Sequence, residues 1–180
     1  MNKILIIDDE VQIRSLLARM LELEGYEVCQ AGDCKTAIKQ LEIQSPDVAL
    51  CDVFLPDGNG VDLVLNIKKI APNVEVILLT AHGNIPDGVQ AIKNGAFDFF
   101  LKPPAEKELI EAVEKALTVS SDLKFQAEKL AYDRKRFDSL TDREKDVVIL
   151  VGKGMMNKTI ADTLKISEKT VQQHRGVACK

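Results

Sequence analysis

Apolar residues are spread unevenly along the chain. Up to about residue 117, short continuous apolar runs alternate with stretches in which apolar positions recur every three or four residues. The runs are Ile4 to Ile7, Tyr26 to Ala31, Val48 to Cys51, Val74 to Leu79 and Phe97 to Leu101. A run that is apolar at nearly every position, rather than every second one, fits a strand covered on both faces, as in a parallel sheet. Between the runs, Val11, Ile13, Leu16, Leu17, Met20 and Leu21, then Ala37, Ile38 and Leu41, then Val61, Leu63, Val64 and Ile67 are spaced for one face of a helix. Five strand–helix units in series predict an α/β fold with a doubly wound, parallel five-stranded sheet.

The pattern changes after that. From Ala105 to Val151 no Gly or Pro interrupts the chain, and Leu109, Val113, Ala116, Ser120, Leu123, Ala127, Leu130, Arg134 and Phe137 follow at alternating spacings of four and three. That is the seam of a coiled coil, with Ser120 and Arg134 as polar members. Two readings of this helical linker, residues 118–138, stand side by side. In one, two copies of a continuous helix zip together. In the other, the last helix of the α/β domain packs on its own sheet and breaks at the weak helix formers Thr118 to Ser121. Beyond Ser139 the pattern is a small all-α domain. Thr141 and Glu144 fit a capping box that opens a helix through Leu150, Asn157 can cap a second helix to Leu164, and Ser167 can cap a third. The third bears Lys169, Gln172, Gln173, His174 and Arg175 on its exposed face, as in a helix-turn-helix.

Composition narrows the class. With 46% apolar and 29% charged residues over 180 positions, the chain can bury a core in one large or two small domains, and neither a disordered nor a fibrous protein is indicated. No apolar run approaches the roughly 18 residues that cross a bilayer, so no membrane association and a cytoplasmic location are expected. The four cysteines form no CxxC pair, and buried reduced thiols are expected rather than disulfides or a zinc site. The net charge of −4 conceals a split: residues 1–120 hold 11 Lys and Arg against 19 Asp and Glu, and the remainder holds 13 against 9. A basic tail on an acidic body suits a module that meets phosphates.

On the α/β frame, Asp8 and Asp9 follow the first run, Asp52 ends the third, Thr80 the fourth and Lys102 the fifth. All five then converge on the carboxyl edge of the sheet, where open α/β folds bind ligands. Three gathered carboxylates repel one another unless a hard cation sits among them, and an all-oxygen donor set suits Mg²⁺. One carboxylate can then attack a phosphoryl group while Lys102 and the Thr80 hydroxyl hold its oxygens.

The strings ILIIDDE, ALCDVFLPDGNG, LLTAHG and GAFDFFLKPP, spanning residues 1–117, resemble the CheY-like receiver domain of bacterial two-component response regulators. The resemblance implies that Asp52 accepts phosphate from a cognate histidine kinase, and that Asp8, Asp9, Asp52 and the backbone carbonyl of Phe54 hold Mg²⁺. It further implies that Lys102 pairs with the phosphoryl group, that Thr80 reorients on phosphorylation with Phe99 as the coupled aromatic, and that a cis peptide precedes Pro103. Receivers of this type are expected to form a homodimer on phosphorylation. Residues 139–180, from SLTDREKDVVILVGKGMMNKTIADTLKISEKTVQQHRG onward, resemble a LuxR-type DNA-binding domain. Gln172 and Gln173 are then expected at base edges of double-stranded DNA, with Lys158, Lys169 and Arg175 on phosphates and Thr170 and His174 beside them. That family ends with a fourth helix, and this chain stops at Lys180, so an incomplete domain is expected.

Two rival motifs are weaker. Gly152 to Thr159 imitates a P-loop after the apolar run Val147 to Val151, but Asn157 stands where the second glycine belongs. Phosphatases of the haloacid dehalogenase type need an acid two residues after their Asp nucleophile, and Phe54 stands there. The expectation is therefore a phosphorylation switch controlling transcription rather than a metabolic enzyme. The alternative is a phosphoacceptor whose incomplete tail binds protein instead of DNA.

Overall fold

The computed structural model describes residues 2–81 and 85–178. The chain divides into two compact units, Met1–Phe125 and Gln126–Lys180. In the first, β1 (Lys3–Ile7), β2 (Glu27–Ala31), β3 (Val48–Asp52), β6 (Glu75–Thr80) and β7 (Asp98–Leu101) form one sheet in the order β2-β1-β3-β6-β7, parallel throughout. A hairpin of β4 (Phe54–Leu55) and β5 (Gly58–Asn59) lies outside that sheet. The helices are α1 (Val11–Leu23), α2 (Cys34–Gln44), α3 (Gly60–Ile70), α4 (Ile85–Lys93) and α5 (Glu106–Asp138).

Side-chain alternation in the strands builds two cores. Ile4, Ile6, Val48, Leu50, Ile77 and Leu79 face α1 and α5, packing on Leu17, Leu21, Leu109 and Val113. Leu5, Ile7, Ala49, Cys51, Val76 and Leu78 face the other way, onto Leu41 of α2, Val64 and Ile67 of α3 and Ala91 of α4. A strand sandwiched in this way must be apolar on both faces, and β3 and β6 are buried at every position. β2 and β7 are the sheet edges and stay partly exposed, so the expectation of double burial fails for them.

α5 is one uninterrupted helix of 33 residues, and Thr118 to Ser121 do not break it. Leu109, Val113, Ala116 and Ser120 are buried, while Leu130 is 71% exposed and Ala127 and Arg134 lie in solvent. The break at Thr118 to Ser121 is thus not observed: the helix is continuous, its first half packs on the sheet, and Ala127, Leu130 and Arg134 farther along the seam are exposed.

In the second unit, α6 (Asp142–Gly152), α7 (Asn157–Leu164) and α8 (Glu168–Ala178) enclose Val147, Ile160, Ala161 and Val171. Thr141 caps α6 with the full capping box to Glu144, and the Ser167 hydroxyl accepts from the Thr170 N–H at the start of α8. Asn157 does not cap α7. Met156 takes that position without a side-chain bond, and Asn157, one residue on, turns its carbonyl oxygen to Arg175. Val147 to Val151 is helical, which removes the strand a P-loop requires. Among the described residues no helix is long and apolar enough to cross a membrane.

Candidate functional site

Each strand of a parallel sheet delivers its last residue to the same edge, and the connections that leave that edge are free to carry polar groups. Asp52 is the final residue of β3 and Thr80 of β6; Asp8 and Lys102 directly follow β1 and β7. Carboxylate oxygens of Asp8, Asp9 and Asp52 lie within 4.8 Å of one another. Asp8 is 1% exposed and Asp52 7%, whereas Asp9 faces solvent.

Lys102 bridges the two buried acids. Its Nζ donates to Asp8 Oδ2 and to Asp52 Oδ2, both at 2.6 Å. Burial works to lower the ammonium's pKa, but hydrogen bonds and attraction from Asp52 and Asp8 outweigh it, and the net shift is upward from 10.5. The second oxygen of each acid is held by backbone: Asp8 Oδ1 accepts from the Glu10 N–H at 2.9 Å, and Asp52 Oδ1 from the Phe54 N–H at 3.3 Å. The Lys102–Pro103 peptide is cis. Thr80 is 1% exposed at the same edge. Phe99, half-buried on β7, stacks toward α4, where a Cβ added to Gly88 would lie 3.5 Å from its ring.

Close packing fixes the loop after Asp52. The Gly60 N–H donates to the Val53 carbonyl at 2.8 Å, and a Cβ at Gly60 would fall 2.1 Å from the Asp52 carbonyl oxygen, so only glycine fits. An all-oxygen cluster of three carboxylates is the donor set a hard divalent ion such as Mg²⁺ takes, and the residues present fit one.

Sequence reasoning missed two residues at this edge. Arg14 of α1 donates from one guanidinium nitrogen to the carbonyls of Asp8 (2.5 Å) and Asp9 (3.1 Å), bracing the acidic turn. Asp57, on the β4–β5 turn, accepts from two amides of α2. Nothing local marks either as a site residue: an arginine on a helix and an aspartate in a Pro-Asp-Gly turn are ordinary solvated residues until the fold brings their partners.

In the second unit Lys158, Lys169, Gln172 and Gln173 are exposed, and Thr170 and His174 half-buried. Arg175 departs from the expected open face. It is half-buried, and its Nη1 donates to Asn157 Oδ1 at 2.6 Å, tying α8 to the start of α7.

A parallel sheet of this strand order, with its acids and lysine at the carboxyl edge, has the architecture of a receiver domain. Residues 4–114 match the response regulator receiver domain, and residues 138–180 match the bacterial regulatory proteins of the luxR family. The chain belongs to the response regulators that join a receiver to a LuxR-type DNA-binding domain. It is 34% identical over 171 residues to the transcriptional regulatory protein FixJ of Rhizobium meliloti, covering 95% of this chain and 84% of that protein. The structure of the response regulator StyR superposes with a TM-score of 0.83 at 31% identity, covering 97% of this chain and 88% of the other. The beryllofluoride-activated NtrC4 receiver domain dimer gives a TM-score of 0.64 at 35% identity, covering 67% of this chain and 99% of that one. A receiver domain implies a histidine kinase as partner, and a LuxR-type domain implies DNA.

Proposed function

We propose that Asp52 is the phosphoacceptor through which a histidine kinase controls DNA binding by this chain. The observation that carries the reading is the Lys102 ammonium 2.6 Å from both Asp8 and Asp52 at the carboxyl edge of the sheet. An oxygen of Asp52 forms a bond to phosphorus as the bond from phosphorus to the kinase's imidazole nitrogen breaks, leaving an acyl phosphate on Asp52. Lys102 supplies positive charge to the phosphoryl oxygens without having to be recruited. The buried Thr80 hydroxyl turns toward the new group, and Phe99 follows into the space beside Gly88. Asp8, Asp9, Asp52 and the Phe54 carbonyl would hold Mg²⁺, which when bound screens the charge that builds up during transfer.

In the tail, Gln172 and Gln173 read base edges, while Lys158 and Lys169 neutralise phosphates, with Thr170 and His174 at the margin of the contact. Arg175 meets a phosphate only by leaving Asn157. Phosphorylation favours a homodimer, for which the exposed part of the α5 seam around Leu130 offers one surface; the NtrC4 receiver, activated by beryllofluoride, is itself a dimer. The site of action is the cytoplasm, where DNA and kinase meet.

The test is chemical. Incubated with Mg²⁺ and acetyl phosphate, the native chain takes up one phosphoryl group and Asp52→Asn takes up none by intact-mass measurement. Equal labelling of both would remove Asp52 from the role.

A further inference from the structure

The hairpin after Asp52 is tethered at three places. At its first arm the Phe54 N–H donates to Asp52 Oδ1. At its second arm the Asn59 side chain caps α3 by accepting from the Val61 N–H at 2.7 Å. The third tether is at the tip. Asp57 lies on the surface, yet its Oδ1 accepts from the Cys34 N–H at 2.8 Å and its Oδ2 from the Lys35 N–H at 3.1 Å. These are the first two amides of α2, which have no partner within their own helix.

The helix has a cap of its own in Asp33, whose side chain takes the Thr36 N–H at 2.6 Å. Asp57 is therefore not needed to start α2. What it adds is a two-pronged attachment, across the fold, between α2 and a hairpin of only two residues per strand. Such a hairpin has almost no stability of its own. The seat is tight: a Cβ at the neighbouring Gly58 would come within 3.0 Å of the Cys34 sulfur. The amides of Cys34 first, and then of Lys35, hold the Asp57 carboxyl below its usual pKa, in keeping with a charge at a helix N-terminus.

We infer that Asp57 is a positioning residue for the acidic site: by pinning the hairpin tip to α2 it fixes the Phe54 peptide, whose N–H faces Asp52 and whose carbonyl is the proposed Mg²⁺ ligand. The inference rests on the Mg²⁺ and phosphoryl reading given above. Groups that orient a ligand without touching the metal commonly carry about 10-fold or more in affinity.

The experiment uses the full chain as wild type, Asp57→Ala and Asp57→Asn. Calorimetric titration with MgCl₂ alone, acetyl phosphate labelling rates, hydrogen exchange at the Phe54 amide and thermal melting are compared. Asp57→Ala is expected to weaken Mg²⁺ binding about 10-fold, to slow labelling and to speed Phe54 exchange, while melting stays cooperative. Asp57→Asn, which keeps one acceptor oxygen, falls between. Unchanged Mg²⁺ affinity and labelling in Asp57→Ala, with only a lower melting temperature, would make Asp57 a stability element and overturn the inference. If Asp57→Ala fails to fold, Asp57→Asn carries the same comparison. A wild type that neither binds Mg²⁺ nor is labelled would instead overturn the underlying reading.

Discussion

An ammonium held 2.6 Å from two nearly buried carboxylates is a resident counterion, and its removal leaves like charges facing each other in a poorly solvated place. Lys102→Met is expected to cost about 3 kcal/mol in denaturant titrations with chelator present, the usual scale for breaking a buried pair. Added Mg²⁺ should restore part of that loss, because the cation takes over the neutralisation. An equal loss with and without Mg²⁺ would mean that the lysine acts through packing. The pH dependence has a definite sign. Lys102 has a folded-state pKa above 10.5, so the stability it contributes is complete below about pH 10.5 and is lost as pH rises through the folded value. The gap between wild type and variant should be flat from neutral pH to about 10 and close above it. The lysine and its two acids were legible in the sequence because each sits where a strand ends. Arg14 was not, because its partners are backbone carbonyls of Asp8 and Asp9, which no side-chain pattern records.

At the scale of elements, the apolar runs identified the strands because burial on both faces forbids polar residues there. They said least at the sheet edges, where β7 is only half covered. The β4–β5 hairpin was invisible, since strands of two residues are too short to show a period. α4 followed only from the count of strand–helix units, because Pro86 and Gly88 interrupt its pattern; Pro is tolerated in the first turn, where its missing N–H would have had no partner. Local propensity at Thr118 to Ser121 argued for a break in α5, and packing prevailed: Leu117 and Ser120 are buried against the first unit's core side. That continuity has a cost that can be measured. Ser120 is fully buried, and its hydroxyl has no hydrogen-bond partner among the described residues. Ser120→Ala removes an unsatisfied group and improves helix propensity, so a gain of about 1 kcal/mol is expected in chemical denaturation. A loss would show that the hydroxyl is satisfied by solvent.

For the whole molecule, the acidic body and basic tail set the terms of DNA binding. Replacing Gln172 with Ala should cost about 1–3 kcal/mol on a specific site and little on random duplex, whereas Lys169→Ala should weaken both and lower the salt slope by about one. Identical losses on both kinds of DNA for both variants would reverse the assignment of base and phosphate contacts. Assembly is tested separately. Leu123 and Leu130 belong to the apolar seam of α5, and Leu130 is 71% exposed. Leu123→Glu combined with Leu130→Glu should abolish phosphorylation-dependent dimerisation in sedimentation while leaving phosphate uptake at Asp52 intact. A variant that dimerises as before would place the interface elsewhere. The tail's helices were legible from their spacing and from the Thr141 and Ser167 caps, whereas the expected Asn157 cap failed and the Asn157–Arg175 bond was not foreseen, because it joins residues from two helices whose crossing only the fold determines.

Gly60 has a consequence for how this sequence can change over generations. With the Asp52 carbonyl 2.1 Å from where any Cβ would sit, no amino acid other than glycine leaves the backbone beside Asp52 in place. Drift at that codon is closed in every direction, and a lineage could escape only by rebuilding the loop and the start of α3 together. Gly176, with nothing within 4 Å of such a Cβ among the described residues, carries no such restriction. One glycine codon is thus frozen by the backbone carbonyl of the residue that carries the chemistry, while another is free to wander.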